Sequence, residues 1–344
     1  MAEATLLVSL LALTAYAVLG GADFGAGLWD LTAGGARRGA AARGLIERSM
    51  TPVWEANHVW LPFLLVLLWT GFPRFFGSVM STLYVPLFGA TAGIILRGAA
   101  FAFRPHAATL GQARVLGAAF ALSSVLVPFC FGAAVGGIAS GRVPVGNAAG
   151  DAWSSWLNPT SIAVGILAVL AGAYLAAAFL AGDAQRTGEP ALEHATRRRA
   201  LGAGAITGAV AIAALAVVRF DARALYDGLT SGLGLALVLG SAGLGIATLL
   251  LILTRRWMLV RLTSAGAVAC VIAGWAAAQQ PYLLPTALTV HQGAANDATL
   301  TALVLSFGVF GLGVLLPSLI VLYRLVLRGR LDKPYEPLDA RWRT

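Results

Sequence analysis

Apolar residues in this chain fall in long, nearly unbroken runs, with neither the one-sided stripe of a soluble helix nor the alternation of a half-buried strand. Crossing a hydrocarbon core of about 30 Å takes about 20 mostly apolar residues. Nine runs qualify: 5–29, 51–71, 78–103, 112–138, 159–181, 199–218, 230–254, 258–279 and 299–327. Helices are the only reading, because every main-chain N–H and C=O in lipid must find an internal partner and these runs are far too long for barrel strands. The pattern therefore predicts an all-α integral membrane protein: one polytopic domain over residues 1–344, threaded through the bilayer about nine times. The longest breaks are 139–158, with Gly, Pro and Asn, and the charged stretch 182–199. They suggest two sub-bundles, 1–150 and 151–344, with one helix at the periphery.

Composition agrees. Hydrophobic residues make up 58% of the 344 and charged ones only 11%, against about a quarter charged in soluble domains. The net charge of +9 would suggest nucleic acid in a soluble protein. Here the basic residues sit in short connectors between apolar runs, so no nucleic-acid partner is expected. Twenty of the 24 Lys and Arg residues belong to the connectors after the first, third, fifth and seventh runs and to the C-terminal tail. These are Arg37, Arg38, Arg43 and Arg48; Arg97, Arg104 and Arg114; Arg186 and Arg197 to Arg199; Arg255, Arg256 and Arg261; and Arg324, Arg328, Arg330, Lys333, Arg341 and Arg343 of the tail. The alternate connectors hold Arg74, Arg142, Arg219 and Arg223. The positive-inside rule then predicts an outside N-terminus and an inside C-terminus.

Cys130 and Cys270 lie in apolar runs without a CxxC context, so they read as small buried fillers. The opening MAEA has no basic segment, and the first run is expected to be a retained span and not a signal peptide. The Gly-rich stretch 232–245 reads as close helix packing, with no nucleotide loop implied.

Ionisable groups inside membrane helices are costly unless paired or hydrated, so each calls for a functional hypothesis. Asp23 in GADFGAG lies about seven residues from the inner end of the first run. Glu55, Asn57 and His58 in PVWEANHVW open the second. A rise of 1.5 Å per residue puts all of them at comparable depth, about 6–12 Å from the inner surface, where antiparallel neighbours bring them within reach. A carboxylate and an imidazole there suit proton conduction. A polar knot locking the first two helices is the plainer alternative. His58 has no second histidine at its depth to share a haem iron, since His106, His194 and His291 fall in connectors. The outer connector 279–297 lacks Lys and Arg and reads either as an ordinary loop or as a lid over a partner or an acyl chain.

Five segments in chain order then point one way: GADFGAGLWDL at 21–31, PVWEANHVWL ending at Leu61, GFPRFF at 71–76, LRGAAFAFR at 96–104, and Gly274-Trp275 followed by QQPYLLPTALTV at 279–290. Together they resemble subunit II of the cytochrome bd quinol oxidases; the stretch 105–270 resembles that family only in hydropathy and helix spacing. The resemblance implies a subunit of a terminal oxidase in a bacterial or archaeal cytoplasmic membrane that oxidises quinol and reduces dioxygen to water. It implies no catalytic residue, haem or metal in this chain: haems b and d would sit in a haem-bearing partner, subunit I, which this chain would stabilise while lining a proton path from the cytoplasm. Quinol and lipid are implied partners, and a structural quinone or lipid here and a small accessory subunit both stay open. By the resemblance, Glu55 would feed protons toward the partner, with Asp23, Asn57 and His58 alongside. The family's commoner helix-two pattern reads W-D-G-N-E-V-W; here Glu55 stands for Asp, Ala56 for Gly and His58 for Glu. The rival from another class is a proton-coupled secondary transporter using the same three ionisable groups.

Overall fold

A computed structural model describes residues 1–35 and 38–328. Arg37 and the tail residues Arg330, Lys333, Arg341 and Arg343 lie outside the described residues. Nearly everything described is helical. The first span, α1 (Ala2–Leu31), carries a π-turn at Tyr16–Gly20. A short helix α2 (Ala40–Met50) leads into α3 (Trp54–Gly71). At Phe72 the chain leaves helical geometry, and Pro73, whose ring suits a first helical position, starts α4 (Pro73–Thr82) at 119° to α3. Then come α5 (Tyr84–Phe103), α6 (Leu110–Ala139), α7 (Pro159–Thr187), α8 (Pro190–Asp221), α9 (Arg223–Leu229), α10 (Gly232–Leu253), α11 (Trp257–Gln279) and α12 (Asp297–Val326). Eight of these are long and apolar enough to cross a membrane, and counting the bent α3–α4 pair as one more span gives up to nine among the described residues.

Two boundaries differ from the sequence reading. Residues 78–82 belong to α4, broken from α5 at Leu83, so the third span is shorter than the apolar run. The stretch 182–199 is no connector: α7 and α8 run through it and are separated only by Gly188 and Glu189. Gly188, at φ 71°, supplies the left-handed turn that ends α7. The charges that made this stretch look like a loop are paired instead, Asp183 with Arg186 and Arg261, and Glu193 with Arg255.

The polar contacts sort the connectors into two faces. Asp30 at the end of α1 holds Arg43 and Arg104, each at 2.9 Å. With the Asp183 and Glu193 pairs, these join ends of α1, α5, α7 and α11 on one face, called here the basic face. On the other face Asp221 takes both Arg142 guanidinium nitrogens, at 3.1 and 2.7 Å, and the Thr160 hydroxyl at 2.6 Å. The connector 139–158 docks there on α4 through Ser78 and Ser81, which accept from Gly146 N and Ala148 N. Asp151 accepts from the main-chain N–H groups of Ser154 and Trp153, at 2.7 and 3.0 Å, and these bonds hold its carboxyl below the usual aspartate range.

α7 is the central helix, with every residue from Gly172 to Ala178 buried and packing against α1, α6, α8 and α11. Small side chains permit this. A Cβ built on Gly25 would lie 1.9 Å from the Gly172 carbonyl oxygen, so α1 and α7 touch main chain to main chain. Trp29 Nε1 donates to the Ala173 carbonyl at 2.8 Å at the same crossing. The 279–297 connector is a folded cap. Its short antiparallel ladder pairs Tyr282 with Thr289 and Leu284 with Leu288, and Leu283, Leu284, Leu288 and Val290 pack with Phe72, Leu83 and Leu300. Burying those four apolar side chains is what orders a segment with no basic residue. Cys130 is buried and Cys270 half-buried. α12 is the most exposed span.

Candidate functional site

The site lies where α1, α3, α5, α6 and α12 meet toward the basic face. Asp23 follows the π-turn by three residues, is 1% exposed, and accepts from Asn57 Nδ2 at 2.9 Å. Asn57, also buried, accepts in turn from the Tyr323 hydroxyl of α12. His58 Nε2 lies 4.0 Å from Asp23 Oδ2, beyond direct hydrogen bonding. Its ring is enclosed edge-on by Tyr16, Phe24 and Trp54, with centroids 5.8, 5.3 and 5.8 Å away. Trp54 is itself stacked on Phe101 of α5.

The charge that balances Asp23 comes from a residue the sequence reading had placed in a connector. Arg97 sits within α5, 1% exposed, donating from Nη2 to the Asp23 main-chain oxygen at 2.6 Å and from Nη1 to Ser124 Oγ on α6. Its guanidinium lies between the rings of Phe24 and Phe120, 4.9 and 4.3 Å from their centroids. It therefore does not belong in the connector charge tally. A cue was present: LRG lies six residues inside the end of an apolar run, where the rule applied to Asp23 applies equally. Gly27 makes the space. A Cβ there would meet Ser124 Oγ at 2.0 Å and Arg97 Nη1 at 2.9 Å. The glycines of GADFGAG thus have separate duties, Gly25 at the α7 crossing and Gly27 beside Arg97.

Of the four residues singled out from the sequence, the fold brings Asp23, Asn57 and His58 together. Glu55 is elsewhere: it is exposed on α3, and among the described residues it shows no hydrogen bond or ion pair. The reason is angular. At 100° per residue Glu55 and His58 share a broad face, but the helix is rotated so that Asn57 points at Asp23. Around the cluster, Tyr16 Oη, His58 Nε2, Arg97 Nε and Trp54 Nε1 are buried without a protein partner. Such atoms are ordinarily satisfied by water. A carboxylate with amide, phenol and imidazole neighbours and room for bridging water can accept, hold and release a proton.

The family model of cytochrome bd terminal oxidase subunit II matches residues 1–326. The chain belongs to this family. It is a multi-pass membrane protein, and its family is that of a terminal oxidase subunit. It is similar to cytochrome bd ubiquinol oxidase subunit 2 of Bacillus subtilis (strain 168), with 28% identity over 114 residues; the match spans about a third of either chain (33% of each). The fold is similar to a chain in the structure of bd oxidase from Geobacillus thermodenitrificans, with TM-score 0.78, 27% identity, and coverage of 95% of this chain and 98% of that one. The family depends on haem, and His58 is the histidine of the site. Three aromatic rings flank its imidazole within 6 Å, and no group of three or more His, Cys, Asp or Glu side chains gathers among the described residues.

Proposed function

We propose that this chain is the non-haem subunit of a bd-type quinol oxidase, stabilising a haem-bearing subunit I and carrying protons from the basic face toward the partner's site of dioxygen reduction. Under the positive-inside rule the basic face is cytoplasmic, so the direction is uptake. The observation that carries the reading is the fully buried Asp23, charge-balanced by Arg97 and joined through Asn57 to Tyr323. A polar knot needs no charge. A neutral side chain at position 23 would lock the helices at lower desolvation cost, whereas a carboxylate kept beside half-buried His58 and unpartnered polar atoms has the parts of a relay. Asp23 would hold the proton, Asn57 would orient it, His58 would exchange with it across a water-bridged 4.0 Å gap, and Glu55 on the exposed side of α3 would pass protons to the partner.

The test is made on the oxidase purified through a tag on this chain. A reduced-minus-oxidised spectrum should show haem accompanying a second membrane subunit, and this chain expressed alone should show none. Asp23→Asn should lower quinol-driven oxygen consumption with haem content and assembly intact. Normal turnover in that variant would remove the relay, and haem in the isolated chain would remove the division of labour.

A further inference from the structure

At the basic face, the start of α8 and the α10–α11 turn carry more positive charge than the fold uses. They hold Arg197, Arg198, Arg199, Arg255 and Arg256, with Glu189 and Glu193 as their acidic residues. The two segments touch. Arg197 donates to the Ile252 and Leu253 carbonyls at 3.1 and 2.9 Å, closing the last turn of α10, and Arg255 Nε lies 3.5 Å from Glu193 Oε1. Arg199 is half-buried over the Trp29 ring, 5.4 Å from its centroid. Arg198 and Arg256 are exposed and meet no carboxylate among the described residues, and the Arg255 side chain is 55% exposed. Arg255 also sits at φ 58°, the left-handed position after a helix that glycine fills at least cost. An arginine kept there against its backbone preference points to the side chain as the reason. Just inside the turn, Leu250 and Leu253 of α10 and Met258 and Leu262 of α11 are between 52% and 63% exposed. At spacings of three and four they form one row on each helix. Long aliphatic side chains face outward here, whereas helix contacts in lipid draw on small residues.

We propose that this corner binds an anionic phospholipid, its phosphate held by Arg198, Arg255 and Arg256 and its acyl chains lying along the Leu250–Leu253 and Met258–Leu262 rows. Phosphate oxygens accept charge-assisted, often bidentate bonds from guanidinium groups. A zwitterionic headgroup brings its own cation and gains less from them. Charge complementarity selects the headgroup, and the uncovered aliphatic rows directly beneath the arginines select a lipid over a soluble anion. Basic residues at the membrane surface each raise affinity for anionic lipid by about fivefold, an effect that salt screens. A phosphate in this place ties α8 to the α10–α11 turn, adding to the bonds that Arg197 already makes. The site is independent of the proton path, because α8, α10 and α11 contribute nothing to the Asp23 cluster.

The experiment uses the complete oxidase complex, stripped of lipid by detergent exchange and titrated with dioleoylphosphatidylglycerol or dioleoylphosphatidylcholine. Bound lipids are counted by native mass spectrometry. The unsubstituted complex should take up phosphatidylglycerol in preference to phosphatidylcholine. The triple variant Arg198→Gln, Arg255→Gln, Arg256→Gln should hold one phosphatidylglycerol fewer, with affinity for that lipid lowered at least about tenfold. Arg255→Gly separates a lipid role from a structural one. It relieves the backbone, so heat stability without lipid should be kept while affinity for phosphatidylglycerol falls about fivefold. Equal uptake of the two lipids, or an unchanged phosphatidylglycerol count in the triple variant, overturns the site. Loss of a co-purifying protein from the triple variant, with its lipid count unchanged, also overturns it and makes the corner a protein interface. Should the triple variant fail to assemble, Arg255→Gly and Arg256→Gln are read singly, and unchanged phosphatidylglycerol affinity in both overturns the site.

Discussion

Replacing Arg97 with Met tests whether the buried charges form a unit. The side chain donates two hydrogen bonds, to the Asp23 carbonyl and to Ser124 Oγ, and lies over two aromatic rings. Charge-assisted bonds contribute about 1.5–3 kcal/mol each and cation–π contacts about 0.5–2 kcal/mol, against the cost of burying a guanidinium. Removing one partner of a buried charge pair costs about 3–5 kcal/mol, because the other is left uncompensated. Arg97→Met should fall in that range. Asp23→Asn should cost less, because Arg97 keeps its main-chain acceptor and Ser124. In the double variant neither charge remains, so its cost should fall short of the sum of the two singles by roughly 2 kcal/mol, within the usual range for coupled neighbours. The four proteins are compared by SDS titration of the assembled complex in mixed micelles, followed by far-ultraviolet circular dichroism. Additivity within about 0.5 kcal/mol would refute the coupling and leave Arg97 as packing alone.

Gly25→Ala places a Cβ 1.9 Å from the Gly172 oxygen, so α1 and α7 must separate; a loss of about 1–3 kcal/mol or failed assembly is expected. Gly208→Ala, in open space on α8, should instead stabilise by about 0.5–1 kcal/mol in the same titration. Glu55→Gln should slow quinol-driven oxygen uptake while leaving haem content and thermal stability unchanged, since the side chain is exposed and has no partner among the described residues; unchanged uptake would take Glu55 out of the path. The Asp151 carboxyl, held low by the Ser154 and Trp153 N–H groups, orders its turn above the ordinary aspartate pKa, and that order is lost as pH falls through the lowered value. Hydrogen exchange at those two amides should therefore accelerate only at acid pH in the native chain and at all pH values in Asp151→Ala.

Much of the fold was legible in one dimension. Span count and helical class depend on run length against bilayer thickness, and a main chain in lipid has no other way to satisfy its hydrogen bonds. Asp23, Asn57 and His58 stood out because polar groups are expensive there. Two of the differences share one cause: in a sequence, a charge reads as the sign of a connector. Arg97 and the charges of 182–199 lie on helices because partners distant in sequence neutralise them, Arg97 beside Asp23 and Asp183 beside Arg261. The bend at Phe72 shows the same limit, since GFP marks a break without saying that the helix turns by 119°.

What the sequence determined by itself is the set of segments that enter the bilayer and the polar residues that need a reason to be there. Only the tertiary structure decided which of them meet. The rotation of α3 turns Asn57 toward Asp23 and leaves Glu55 at the surface, the α1–α7 crossing is as close as Gly25 and Gly172 allow, and α12 returns Tyr323 to the second span. Those outcomes depend on packing among residues from 34 to 266 positions apart, and hydropathy, which weighs residues one run at a time, carries no information about helix rotation.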